Sequence, residues 1–225
     1  MKKFAVLAVC LIVAGSAWAQ VGTTNPNAIN QDYVDWCQYG CSGGANASPQ
    51  AWTSNMGFTG TVGLNGGFQD FYNLQQGGSW DGNFPSGMGL IYNGSILGNT
   101  PSSIVASFDT GVYAAGAYIQ DDWVGPFTAS ITLYDQSYNP IATFSFNGNS
   151  TRSDPGHALF IGGYDTVPFW AVEFSVAGAG GVFEPDFSIG QMNINEAPEP
   201  GTLVLFGSSA LGLAGYLRRR FQGVL

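Results

Sequence analysis

Positive charge is what this chain lacks most. Its only lysines are Lys2 and Lys3, and three of its four arginines are Arg218, Arg219 and Arg220. Between Gln20 and Ala197 one fixed cation, Arg152, stands against fourteen acidic residues, a net of −13. Such a body repels phosphate backbones and anionic headgroups, so nucleic acid is excluded as a partner. Histidine is almost absent too. His157 is the only one, and it sits in the turn-like run Ser153-Asp154-Pro155-Gly156-His157 before a strand pattern, where an ordinary rim residue is expected. No G-x-S-x-G elbow opens a helix, and no glycine-rich loop carries the lysine of a phosphate site. Charged residues make up only 9% of the chain. With many glycines and aromatics beside them, that composition describes a packed fold rather than a disordered acidic chain.

Long apolar runs occur only at the two ends. Lys2 and Lys3 precede an apolar stretch from Phe4 to Gly15, and Ala17-Trp18-Ala19 fits a small-x-small cleavage site. Residues 1–19 are therefore expected to be a signal peptide. At the other end, Pro198-Glu199-Pro200-Gly201 precedes an apolar run from Leu203 to Leu217, closed by Arg218, Arg219 and Arg220. The prolines block a helix arriving from upstream. A helix from Thr202 to Leu217 is about 24 Å long at a rise of roughly 1.5 Å per residue, slightly short of the about 20 residues of a comfortable membrane span. The arginines hold its end on the cytoplasmic side.

This turn, apolar segment and basic stop resembles the PEP-CTERM sorting signal of Gram-negative bacteria. The resemblance covers residues 198–225. It implies recognition by an exosortase at Pro198, Glu199 and Pro200, a C-terminal transmembrane sorting helix stopped by Arg218–Arg220, and delivery to the cell surface or extracellular matrix. It also raises the expectation of an exopolysaccharide partner, because such sorting accompanies exopolysaccharide production.

Cysteine is scarce. With Cys10 inside the signal peptide, Cys37 and Cys41 remain, and an exported pair of this kind is expected to form a disulfide. The loop it closes, Gln38-Tyr39-Gly40, is small, so it pins local shape more than it stabilises the fold. Residues 20–57 are polar and poor in strand pattern, and are expected to be a loosely structured extension, stapled by the disulfide and packed by Trp36 and Trp52.

No stretch shows convincing helical periodicity, whereas period-2 alternation recurs throughout residues 58–197. In Phe127–Asp135, Phe127, Ala129, Ile131 and Leu133 alternate with Thr128, Ser130, Thr132 and Tyr134. Ile141–Phe146 puts Ala142, Phe144 and Phe146 on one side, and a later strand sets Trp170, Val172, Phe174 and Val176 against Phe169, Ala171, Glu173 and Ser175. Further strands are expected at Thr59–Leu64, Met88–Leu97, Ser103–Phe108, Val112–Gln120, Ala158–Gly162 and Phe183–Ile194, with long loops across Asn65–Gly87. The fold expected is all-β, a single jelly-roll-like sandwich. Ile104–Phe108, Ala115–Ile119 and Phe160–Gly163 also resemble the sandwich domains found in front of PEP-CTERM tails, a resemblance that implies no catalytic residues.

Three classes of function follow. The first is a structural or adhesive surface protein. The second is a lectin-like module, since an apolar ring face beside planar hydrogen-bonding groups suits a sugar; Trp80, Asp81 and Asn83 in one loop, and Asp121, Asp122 and Trp123 at a strand end, are the candidate contacts. Core packing is the competing role for each tryptophan. The third is a glycan-active enzyme, which needs two carboxylates facing across a cleft. Asp81, Asp109, Asp121, Asp122, Asp165, Glu173 and Glu184 are available, but nothing in the sequence pairs them, so a non-enzyme without catalytic residues is expected. No cofactor is expected beyond a structural calcium ion, for which the adjacent Asp121 and Asp122 offer hard oxygen ligands.

Overall fold

The computed structural model describes residues 20–65, 70–94, 102–178 and 186–196. The expected signal peptide, the tail and Glu184 lie outside these residues. The described residues form twelve strands: β1 Val21–Thr23, β2 Asp32–Val34, β3 Ala45–Asn46, β4 Gln50–Thr53, β5 Thr59–Leu64, β6 Phe71–Gln75, β7 Gly89–Tyr92, β8 Ile104–Asp121, β9 Gly125–Tyr134, β10 Pro140–Ser150, β11 Leu159–Gly178 and β12 Phe187–Asn195. Among the described residues the only helical turns are the short 3-10 segments Pro26–Ala28 and Trp36–Tyr39. The expected all-β sandwich is what forms.

Two long strands build its corners. The first half of β8 pairs with β5 and with the second half of β11, while its second half pairs with the first half of β11 and with β12. One sheet therefore runs β10-β9-β11-β8-β5-β4, and the other runs β1-β11-β8-β12, continuing through β7 to β6 and β3. Every pairing between these strands is antiparallel. Register breaks at the crossing, between Tyr164 and Phe169 and again between Phe169 and Ala171. Strands that bend through irregularities are the usual way a chain passes from one sheet to its partner. Pro168, which has no N–H to offer a ladder, lies in the break, and the Asp165 carboxylate accepts from the Val167 N–H at 3.1 Å.

The break also corrects an expected phase. Phe169 is fully buried and Trp170 only half-buried, because the irregularity between Phe169 and Ala171 shifts the alternation by one. Downstream, Val172, Phe174 and Val176 face the core as expected.

One continuous core fills the space between the sheets. Val62, Leu64, Ile104, Ala106, Phe127, Ala129, Ile131, Leu133, Val172 and Phe174 come from the first sheet, and Phe71, Ile91, Ala115, Ala117, Ile119, Phe187, Ile189, Met192 and Ile194 from the second. Each fully buried large aliphatic or aromatic side chain stabilises the fold by roughly 1.5–3 kcal/mol through water exclusion.

Residues 20–57 are not a loose extension. β1 pairs with β11, β2 with β12, β3 with β6 and β4 with β5. Trp36 and Trp52 are in the main core, as expected of them, and the Trp36 indole N–H donates to the Gly190 carbonyl at 2.7 Å. These strands are two to four residues long, too short for alternation to register in the sequence. Cys37 and Cys41 are disulfide-bonded, and Gly40 takes a φ of +94° that an L side chain rarely adopts. The expected long loop across Asn65–Gly87 is interrupted by β6.

The outer faces of the two sheets differ. On the second sheet, Ile29 lies over Ala114 and Phe160. It comes so close to the backbone that a Cβ on Gly162 would meet the Ile29 Cδ1 at 2.6 Å. Farther along, Trp80, Phe84 and Leu90 form a second cap. On the first sheet the outer face is a ladder of hydroxyls: Thr128 donates to the Asn147 side-chain oxygen at 3.1 Å, and the pairs Ser130–Ser145 and Thr132–Thr143 meet at 2.8 and 2.9 Å.

Candidate functional site

The two groups of residues singled out for sugar contact come together at one end of the second sheet, where β8 leaves it. Asp121 ends the strand; its carboxylate accepts from the Trp123 N–H at 3.0 Å and turns the chain outward. The Asp122 N–H donates to the Asp186 carbonyl at 2.8 Å. From β7, the Tyr92 hydroxyl donates to the carboxylates of Asp122 and Asp186 at 3.2 and 3.3 Å. The Tyr92 ring packs edge-on against Trp80 with centroids 5.4 Å apart.

Burial then divides the candidates. Trp123 is 73% exposed, with Val124 beside it at 61%, and Asp81 and Asp122 are exposed as well. Trp80, Asn83 and Asp121 are buried. Trp80 is thus not a surface platform. The Gln75–Trp80 turn folds back on itself, with the Gly77 N–H donating to the Trp80 carbonyl at 2.8 Å, and lays the indole on Phe84 and Tyr92. Among the described residues its Nε1 has no hydrogen-bond partner.

Asn83 is a structural tie. Its carbonyl accepts from the N–H groups of Gly156, His157 and Ala158, each at 2.8 Å. Its side chain accepts from the Thr151 N–H at 2.7 Å and donates to the Thr151 hydroxyl at 2.9 Å. Gln120 completes the tie by accepting from the Asn83 N–H at 2.6 Å and donating to the Thr151 carbonyl at 3.1 Å. His157, exposed on this rim, pairs with Asp154 at 2.8 Å.

The electrostatics of the corner are one-sided. Burial, joined by the neighbouring carboxylates of Asp122 and Asp186, pushes the Asp121 carboxyl above the usual carboxylate range, and the Trp123 N–H opposes the shift. Burial and the same two carboxylates also push the Tyr92 hydroxyl up, so it stays protonated and acts as a donor. Among the described residues, no group of three or more His, Cys, Asp or Glu is placed to hold a metal ion. What the corner offers is an exposed indole, a short apolar rim and acceptor oxygens, a set suited to hydroxyl-bearing ligands.

The remaining carboxylates have other partners. Asp109 accepts from the Thr59 hydroxyl at 2.6 Å. Glu173, half-buried on the outer face of the first sheet, accepts from Ser103, from the Asn65 amide at 2.9 Å and from Tyr134. Burial and this glutamate push the Tyr134 hydroxyl up to about 12. Beside it, Tyr138 is 59% exposed and meets the Ser107 hydroxyl at 2.7 Å. Sequence reasoning missed the contribution of Asp186 to the corner. It lies far along the chain, and only the pairing of Phe187 with Asp121 brings it there.

Residues 196–220 match the family model of the PEP-CTERM protein-sorting motif. The chain therefore carries the sorting signal that its tail resembles, and with it the mark of an exported protein handled by an exosortase. No curated protein matches the chain. Among solved structures, a DUF4465 family protein from Bacteroides caccae ATCC 43185 is similar at 14% identity over 79% of this chain and 100% of that one, with a TM-score of 0.38. A mutant of the family 29 carbohydrate-binding module CBM29-2, complexed with mannohexaose, is similar at 10% identity over 74% and 93%, with a TM-score of 0.28. The enzymatically active domain of tailspike protein 4 of bacteriophage CBA120 is similar at 13% identity over 61% and 18%, with a TM-score of 0.19. Likenesses this distant carry no functional weight.

Proposed function

We propose that this is a non-catalytic surface protein, a β-sandwich delivered by its sorting tail to the cell surface or extracellular matrix, where it has a structural or adhesive role. The observation that carries this is the sorting motif at residues 196–220 placed directly behind an exported-type, acidic β-sandwich. Its partners on this reading are the export machinery, an exosortase and, through the C-terminal helix, the inner membrane during sorting. Deleting residues 198–225 tests it. The body should then leave the cell surface and collect in the medium, still folded. Undiminished surface retention without the tail would overturn the reading.

A second reading has its own support in the exposed Trp123 beside Asp122. As a lectin-like module the body would bind exopolysaccharide at this corner, with or without a structural calcium ion. A glycan array probed with calcium and with chelator should then show saturable binding that Trp123→Ala removes. Binding by that variant at the parent level would eliminate the corner as the site.

A further inference from the structure

Among the described residues the strands with a single partner are unequal. β1, β2, β3 and β4 are three, three, two and four residues long, whereas β10 has eleven. Among the described residues β10 pairs only with β9. Edges are normally kept short, charged or bulged, because their free N–H and C=O groups pair with any strand that meets them. β10 carries no charged residue. Its one irregularity, between Pro140 and Ala142, is at its start, and the register from Ala142 to Ser150 is unbroken.

We propose that β10 is a homotypic docking edge, at which two copies of this chain pair antiparallel about a two-fold axis at Ser145. The strand is self-complementary about its own midpoint. Such pairing sets Ser145 against the partner's Ser145, Thr143 against the partner's Asn147 and Phe144 against the partner's Phe146. The outward row repeats the chemistry already used one strand in, where β10 meets β9 through Ser130–Ser145 and Thr132–Thr143 hydroxyl pairs and Thr128–Asn147. Phe144 and Phe146 are partly buried against the main core on the other side, so pairing covers the rest of their edge.

Charge leaves this edge, unlike the rest of the body, open to a second copy. Bodies of net charge −13 repel one another almost everywhere, but β9 and β10 are neutral throughout. The two-fold also carries the exposed Arg152, just beyond the end of β10, toward the partner's β9–β10 turn with Asp135 and the exposed Tyr138. The only fixed cation of the body thus comes opposite the partner's Tyr138, in the turn whose one carboxylate, Asp135, already accepts from Ser137 and Asn139. An isologous contact of this kind is the commonest route to a homodimer, and strand addition supplies its affinity through main-chain bonds. The inference deepens the adhesive reading above but rests on strand geometry, so a failed contact leaves the sorting result standing, and the reverse.

The test is cross-linking of the full chain on cells that export it. Directly opposed residues of an antiparallel pair have Cα atoms about 4.5–5.5 Å apart, within disulfide range. Ser145→Cys should give a reducible dimer severalfold more abundant than Ser137→Cys, an exposed turn control whose mate across the axis is not itself. Equal yields would overturn the proposal. If Ser145→Cys does not reach the surface, sedimentation of the detergent-solubilised full chain decides with two charge variants. Thr143→Lys with Asn147→Lys should be monomeric, because lysine opposes lysine at both positions. Thr143→Lys with Asn147→Glu should remain dimeric, because each lysine opposes a glutamate. The same association state for both variants would overturn it.

Discussion

The second sheet is buried on both faces, and the first on only one. Ile29, Trp80, Phe84 and Leu90 cover the outer side of the second, while the first presents paired hydroxyls and Glu173 with its tyrosines. The lesson is that aromatic residues in glycine-rich loops of this chain serve mainly as cover. Trp80 and Trp123 looked equivalent as residues, yet one caps a sheet and the other stands in solvent. Buried cover and exposed surface are thus separate regions, and changes in one should not behave like changes in the other.

The largest expected effect lies in the cover. Trp80→Ala should destabilise the fold by about 3–5 kcal/mol, the range for removing a buried aromatic, with a matching fall in the urea midpoint. Trp123→Ala should leave that midpoint within about 0.5 kcal/mol of the parent. Equal losses would erase the distinction between the two tryptophans.

A smaller effect, of opposite sign, belongs to the acidic corner. The folded-state pKa of Asp121 is raised, so the folded protein holds this proton more tightly than the unfolded chain. Its contribution is therefore complete at low pH and is lost as pH rises through the unfolded and then the folded pKa. Asp121→Asn keeps the oxygen that accepts from Trp123. It should raise the denaturation midpoint at pH 7, and the gain should vanish toward pH 3. A gain independent of pH would point to packing instead. The smallest effect belongs to the bare face: Thr132→Ala removes one exposed hydroxyl pair and should cost no more than about 0.5 kcal/mol.

The sequence displays the regular parts of this fold and hides the bent ones. β5 spans the expected residues, β9 holds its expected run up to Tyr134 and β10 contains its own, because each turns one row of apolar side chains toward the core. β8 and β11 each read as two strands, since Asp109-Thr110-Gly111 and Asp165-Thr166-Val167-Pro168 look like turns. In the structure the chain instead stays extended while it passes from sheet to sheet. The short strands of residues 20–57 gave no periodic signal at all. At the corner, the proximity of Asp121 to Trp123 is local and legible. The contributions of Tyr92 and Asp186 depend on β7 and β12 lying side by side, which no local pattern encodes.

The central claim is that the tail's sorting motif decides where this sandwich works. The most direct measurement replaces Pro198, Glu199 and Pro200 with alanine and follows the full chain by membrane fractionation and surface labelling. The account predicts an unprocessed protein held in the inner membrane, with its body missing from the surface. Mature protein still arriving at the surface would contradict it and reduce the tail to a plain anchor.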